Sequence, residues 1–108
     1  KENTQYDLIF LSNLLHLVSY EEAEILIVEI SRALAPKGIA ILYGPFKRNG
    51  ELCSQGDIDF HQSIIEADPA LGYKNDTDIV YLFAQTGLIH KETENMPANN
   101  LSFVFQKK

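Results

Sequence analysis

The sequence predicts an α/β fold whose mixed sheet has two parallel strands and a terminal antiparallel hairpin. Three observations predict it. A short apolar run, Tyr6-Asp7-Leu8-Ile9-Phe10-Leu11-Ser12, precedes a capped amphipathic stretch, and that stretch precedes a second apolar run, Ile39-Ala40-Ile41-Leu42-Tyr43. Strand, helix and strand with short links form a βαβ unit, which crosses over right-handedly and leaves its strands parallel. Further on, the strand-like segments Leu88 to Asn95 and Leu101 to Gln106 flank Met96-Pro97-Ala98-Asn99-Asn100, the pattern of a hairpin with a five-residue loop. With 108 residues the chain has room for one core and not two.

Each element has a local cause. The first run is nearly continuous in apolar character, as a strand covered on both faces requires. Ser19-Tyr20-Glu21-Glu22 carries the serine and glutamate spacing of a capping box, so a helix starts there. Ala23, Leu26, Ile27, Ile30, Ala33 and Leu34 recur at helical spacing, with Glu22, Glu29 and Arg32 on the other side. Ala35-Pro36-Lys37-Gly38 is expected to end that helix and reverse the chain, since proline cannot continue it and glycine turns left-handedly at little cost. Gly44 to Gly56 is polar, carries three glycines and Pro45, and reads as a loop. A helix over Asp57 to Ala67 would carry Phe60, Ile64 and Ala67 on one face, and Asp68-Pro69 would stop it. Asp76 or Thr77 can cap the next helix, with Ile79, Leu82, Phe83 and Thr86 as its stripe and Gly87 as its terminal turn.

Composition narrows the function classes. Fifteen acidic residues against nine basic ones give a net charge of −6, which repels phosphate backbones and anionic membranes, so neither nucleic acid nor a membrane is expected as a partner. No apolar run approaches the roughly 20 residues that span a bilayer, and no basic-then-apolar leader is read at the start. The one cysteine, Cys53, has no disulfide partner in the chain, which fits a cytoplasmic location. His16, His61 and His90 lack zinc-ligand spacing, so no metal site is expected. The chain starts at Lys1 and runs almost directly into the first strand, like a piece cut from something longer.

In parallel α/β sheets ligands bind beyond the carboxyl ends of the strands. Ser12 to Val18, Gly44 to Arg48 and Met96 to Asn100 are expected to share that rim and to bring Ser12, Asn13, His16, Tyr43, Phe46, Lys47, Asn99 and Asn100 to it. His16 has a pKa range suited to a general base, yet a histidine after two leucines at a strand-to-helix link is also a common packed residue. Tyr43 can donate to a substrate or simply follow β-propensity. Asn13 can orient a ligand or close a turn, and Asn99 and Asn100 can do either as well. Lys47 and Arg48 offer charge to an anion or are solvated surface.

Tyr6 to Phe10 followed by Ser12-Asn13-Leu14-Leu15-His16, then Leu34-Ala35-Pro36-Lys37-Gly38, a strand and a closing hairpin, resemble the second half of a class I S-adenosylmethionine-dependent methyltransferase. More narrowly, Leu42-Tyr43-Gly44-Pro45-Phe46-Lys47-Arg48 and Met96-Pro97-Ala98-Asn99-Asn100-Leu101-Ser102 resemble an uncharacterised-protein family of methyltransferase-like proteins. The resemblance covers essentially the whole chain. It implies the carboxyl-terminal half of a Rossmann-like sheet ordered 3-2-1-4-5-7-6, with strands 4 to 7 supplied here as one partial domain spanning residues 1–108. It also implies S-adenosylmethionine as cofactor and a small-molecule acceptor as substrate. By position Leu11, Ser12 and Asn13 match the cofactor-binding segment, His16, Asn13 and Tyr43 become candidate catalytic residues, and Tyr43, Phe46, Asn99 and Asn100 candidate substrate contacts. The glycine-rich cofactor loop of such enzymes has no counterpart, since no G-x-G-x-G run occurs. The chain alone is therefore expected to be inactive and to bind the cofactor weakly or not at all, and a non-catalytic binding or interaction module is the alternative reading. In that strand order the first strand lacks a neighbour on one side. Its edge, residues 7–11, carries no proline, lysine or glycine to discourage pairing, so self-association as a homodimer is expected there.

Overall fold

The computed structural model describes residues 5–108, and the expectation about how the chain begins falls largely outside them. Strand β1 (Tyr6–Ser12) leads through a short 3-10 turn at Leu15–Leu17 into helix α1 (Tyr20–Ala33). Strand β2 (Leu34–Pro45) returns parallel to β1, with Leu8 opposite Ile39 and Ser12 opposite Tyr43. Helices α2 (Gln55–Ala67) and α3 (Asp76–Gln85) follow. The hairpin strands are β3 (Ile89–Met96) and β4 (Asn100–Gln106). Strand β4 pairs antiparallel with both β2 and β3, which gives one sheet in the order β1-β2-β4-β3. The βαβ unit and the hairpin thus stand as the sequence predicts, with the later hairpin strand innermost. This is an α/β fold with one parallel pair.

Alternation along the strands assigns the two faces of the sheet. In register across the sheet, Ile9, Ala40 and Phe105 form one row and Leu11, Leu42 and Phe103 the next. These rows join Ala23, Ile27 and Ile30 of α1 and Ile79, Leu82 and Phe83 of α3 in a single core. Phe83 stacks on Phe105 with ring centres 4.0 Å apart. The opposite face presents Leu8 and Phe10, each 59% exposed, beside half-buried Ile39, Ile41 and Val104. Strand β1 has no strand on its outer side among the described residues.

Helix α1 begins with the predicted capping box. The Ser19 hydroxyl accepts the Glu22 N–H at 3.0 Å, and the Glu22 carboxylate accepts the Ser19 N–H at 2.8 Å. At its other end Lys107 Nζ donates to the carbonyls of Ser31 and Leu34, at 2.9 and 2.8 Å, placing a cation where the helix dipole is negative.

Several boundaries differ from the sequence reading. Ala35 to Gly38 does not separate helix from strand, because β2 already begins at Leu34, opposite Tyr6, and the four residues form an excursion within it. Lys37, not Gly38, takes the left-handed backbone, at φ 72°. Gly38 is needed for close approach instead. A Cβ there would lie 2.8 Å from the Ala35 carbonyl oxygen and 2.9 Å from that of Tyr6. The loop after β2 is shorter than expected, since Ser54 caps α2 by accepting the Asp57 N–H at 3.1 Å. Ile64 alone of α2 is buried, whereas Phe60 is 46% exposed and Ala67 is exposed. Helix α3 is flanked by Asn75, not Asp76 or Thr77. Asn75 and Asp76 spend their side-chain oxygens on the N–H groups of Gly50 and Asn49. Gly87, at φ 87°, closes α3 as the sequence predicts. The hairpin connection is a 3-10 turn at Pro97–Asn99 in which Ala98 and Asn99 are both left-handed, at φ 61° and 62°.

Candidate functional site

Ser12 ends β1 and Asn13 leaves it with φ 56°, a left-handed turn that asparagine tolerates better than most side-chain-bearing residues. The Asn13 N–H donates to the Tyr43 carbonyl at 2.8 Å, which continues the parallel ladder one step past the strand. Its carboxamide donates to the Ser12 hydroxyl at 3.2 Å, and both residues are exposed. A Cβ on Gly44 would lie in ordinary contact with Asn13, at 3.6 Å.

Tyr43 ends the next strand in line. Its phenol oxygen accepts from Asn100 Nδ2 at 3.3 Å, and the same carboxamide donates to the Pro97 carbonyl at 3.1 Å. Arg48 reaches the turn from the other side, donating to the carbonyls of Asn99 and Asn100 at 2.9 and 3.3 Å. Its Nε is buried without a partner. The arginine is thus a brace on the hairpin rather than a solvated cation, and the turn it braces holds two left-handed residues, Ala98 and Asn99. Ser12, Asn13, Tyr43, Asn99 and Asn100 therefore meet on one end of the sheet, as their positions at strand ends predict.

Three predicted residues lie apart from that cluster. Phe46 is 4% exposed and packs edge-on against Phe103 with ring centres 4.9 Å apart, inside the core. Leu11 is half-buried on the core face opposite Leu42. His16 is 6% exposed, with the rings of Phe60 and Tyr73 at 5.7 and 6.1 Å. Burial first, and the nearby Lys74 ammonium second, hold its pKa below the usual histidine value, so its ring is neutral at pH 7. Among the described residues no hydrogen bond links the ring to Asn13, Tyr43 or Asn100.

Beside His16 lies a second polar cluster. Tyr73 donates its phenol to Asp57 at 2.8 Å and its N–H to Nδ1 of His61 at 3.1 Å. Lys74, 7% exposed, donates to the carbonyls of Val18 and Gly72 at 2.6 and 2.9 Å. Burial lowers the pKa of this lysine, against a smaller opposing effect of Glu22. The sequence holds no signal for Lys74, because a lysine after Gly72-Tyr73 reads as ordinary loop surface. Ser54-x-x-Asp57 is a capping spacing that could have revealed Asp57 as part of a helix start.

A cleft of about 280 Å³ opens elsewhere, between α3 and β3, lined by Asp76, Thr77, Val80, His90, Thr93 and Phe103. Among the described residues no three histidine, cysteine or acidic side chains converge to hold a metal ion, and no helix is long and apolar enough to cross a membrane.

A family model described as "Protein of unknown function (DUF938)" matches residues 1–107. An O-methyltransferase family protein from Burkholderia thailandensis superposes with a TM-score of 0.85 at 15% identity over 99% of this chain and 32% of its own. An O-methyltransferase family 2 protein from Planctomyces limnophilus, solved in complex with apigenin, gives 0.85 at 13% identity over 96% and 31%. Human N-acetylserotonin methyltransferase, solved in complex with SAM, gives 0.81 at 15% identity over 99% and 31%. The chain thus spans about a third of the length of these structures and has the fold of their matching part.

Proposed function

The chain belongs to the DUF938 family, and from that membership and its fold we propose that it is the carboxyl-terminal portion of an S-adenosylmethionine-dependent methyltransferase acting on a small-molecule acceptor. The observation that carries this reading is the convergence of Ser12, Asn13, Tyr43 and Asn100 on one rim of a sheet with this topology. When bound, S-adenosylmethionine supplies a methyl carbon already activated for in-line displacement, so the protein's work is alignment and, for some acceptors, proton removal.

The exposed Ser12 hydroxyl and Asn13 carboxamide fit one uncharged flank of such a cofactor, with half-buried Leu11 beneath them. The rest of the cradle requires a glycine-rich loop that these 108 residues do not contain. Tyr43 and the Asn99-Asn100 pair orient the acceptor from the other side of the rim. With Asn100 already donating to its oxygen, the Tyr43 phenol keeps its own proton to offer. His16, neutral at pH 7, accepts the acceptor's proton where one must leave. Phe46 acts from behind, by packing on Phe103 under the loop that follows Tyr43. By itself the chain binds the cofactor weakly, is inactive, and pairs with a second copy through the open edge of β1.

The burial of His16 beneath Phe60 and Tyr73 favours a second reading, a non-catalytic module of methyltransferase-like fold. Calorimetric titration of the full-length protein with S-adenosylhomocysteine separates the two. Saturable binding supports the enzyme, and no heat of binding supports the module.

A further inference from the structure

The segment from Ser54 to Lys74 clasps the link between β1 and α1 at three points. Gly72 donates its N–H to the His16 carbonyl at 3.0 Å, Lys74 donates its ammonium to the Val18 carbonyl, and Phe60 lies against the His16 ring. The segment is further tied by the Lys47 N–H, which donates to the Lys74 carbonyl at 2.9 Å, whereas α2 itself is lightly held, with Ile64 its one buried residue. Two bonds hold the clasp to its own helix, one from the Tyr73 phenol to Asp57 at 2.8 Å and one from the Tyr73 N–H to Nδ1 of His61 at 3.1 Å. A backbone N–H can donate to that nitrogen only while it carries a lone pair, so this contact requires the neutral ring with its proton on Nε2. The ring fills a notch at Gly72, whose φ is +119° and where a Cβ would lie 2.7 Å from His61 Cε1.

The geometry points to a pH-gated clasp: residues 54–74 hold the link that begins at Asn13 while His61 is neutral, and release it when the ring takes a proton. Protonation turns Nδ1 into a second donor facing the Tyr73 N–H, and it adds a cation to a place that already holds two. The charged and titratable groups around the ring all bear on this. Lys47 from the segment after β2 and Lys74 from the loop before α3 oppose a positive ring, and burial opposes it more strongly. Asp57, one turn earlier on α2, is engaged by the Tyr73 phenol. Cys53 lies near that phenol. His16, from the link itself, is also neutral and also faces Lys74, and Glu22 of α1 acts on Lys74 rather than on the ring.

The sign follows from linkage. A histidine whose pKa is lower in the closed than in the open state stabilises the closed state fully above its open-state value, here 6.5, and that stabilisation is lost as pH falls toward the closed-state value. The clasp therefore weakens as pH falls below about 6.5. Its functional meaning, that the rim is organised at neutral pH and loosened in acid, rests on the reading of the rim as a methyl-transfer site. The clasp itself does not.

Amide hydrogen exchange by NMR tests it, with Tyr73 as reporter and Leu42 at the sheet centre as control. After correction for intrinsic exchange, the protection of Tyr73 should fall about tenfold per pH unit below 6.5 until the closed-state pKa is reached, while that of Leu42 holds. In His61→Asn, whose carboxamide oxygen can accept the same N–H without titrating, the fall should lose the part due to His61 and keep only the smaller part due to His16. Constant protection in the native chain, or an equal fall in His61→Asn, overturns the proposal. Should the variant not fold, the imidazole nitrogen shifts of the native chain decide. A His61 titration midpoint that coincides with the Tyr73 transition supports the clasp, and a transition that follows His16 overturns it. None of these readouts involves cofactor or acceptor, so failure to bind S-adenosylhomocysteine would remove the methyl-transfer reading and leave the clasp standing.

Discussion

The phenol oxygen of Tyr43 and the carboxamide of Asn100, 57 residues apart in sequence, meet at 3.3 Å and join the end of the central strand to the turn of the hairpin. The bond is long, neutral and only partly buried, so Tyr43→Phe should lower unfolding stability by no more than about 1 kcal/mol. Coupling to Asn100→Ala in a double-mutant cycle should be of the same small size, read from urea midpoints. In the full-length protein, a much larger loss of turnover than of stability would mark the pair as acting on the acceptor.

Gly38→Ala should be among the costliest single-methyl additions. The new Cβ meets two backbone oxygens at 2.8 and 2.9 Å, neither of which can swing away. A loss of about 1 to 3 kcal/mol is expected. A urea midpoint unchanged from the native chain would show that the excursion at Ala35 to Gly38 relaxes freely.

Ser19→Ala removes the side-chain half of the capping box and leaves the Glu22 N–H without its acceptor. The expected cost is about 1 kcal/mol, seen as a lower melting temperature with no change in the sheet's circular dichroism.

His16 is buried in its neutral form, so its contribution to stability is complete above 6.5 and is lost as pH falls toward its lowered native value. His16→Phe suits the aromatic surroundings and cannot titrate. It should flatten part of the acid limb of the stability profile, leaving the part due to His61. In the full-length protein, His16→Ala should lower turnover more than cofactor affinity if the ring is a base, and unchanged turnover would assign it to packing alone.

The exposed face and open edge of β1 should drive pairing of copies. Light scattering of the native chain is expected to show a dimer in the micromolar range, and Phe10→Lys, which places a charge on that strand, should yield a monomer. A native monomer at those concentrations would count against the edge as an interface.

The parts of the fold that follow from periodicity were readable in the sequence. The stripe of Ala23, Ile27 and Ile30, the box at Ser19 and Glu22, and the alternation in Leu101 to Gln106 each rest on contacts between near neighbours or on one buried face. What escaped depends on distant backbone. That Gly38 is required by the Tyr6 carbonyl, and that the side chains of Asn75 and Asp76 are taken up by Gly50 and Asn49, appear only once separate segments are adjacent. The same division holds at the rim. Asn13, Tyr43 and Asn100 sit at strand ends and so could be placed together, whereas the core position of Phe46 and the shelter given to His16 by Phe60 depend on how the loop after β2 and α2 fold back.

The contacts of Lys107 bear on how fast this molecule can form. Its ammonium closes the end of α1 from 73 and 76 positions away, and its main chain bonds to Lys37 and Gly38 as well. The central strand β2 has one neighbour supplied early, by β1, and the other only after two helices and a hairpin have been traversed. Closing that large loop must precede the reward of pairing β2 with β4. The barrier to folding is therefore expected at the meeting of β2 and β4. Side chains such as Phe103 and Leu42 should govern the refolding rate, whereas those of α2 should alter mainly the rate of unfolding.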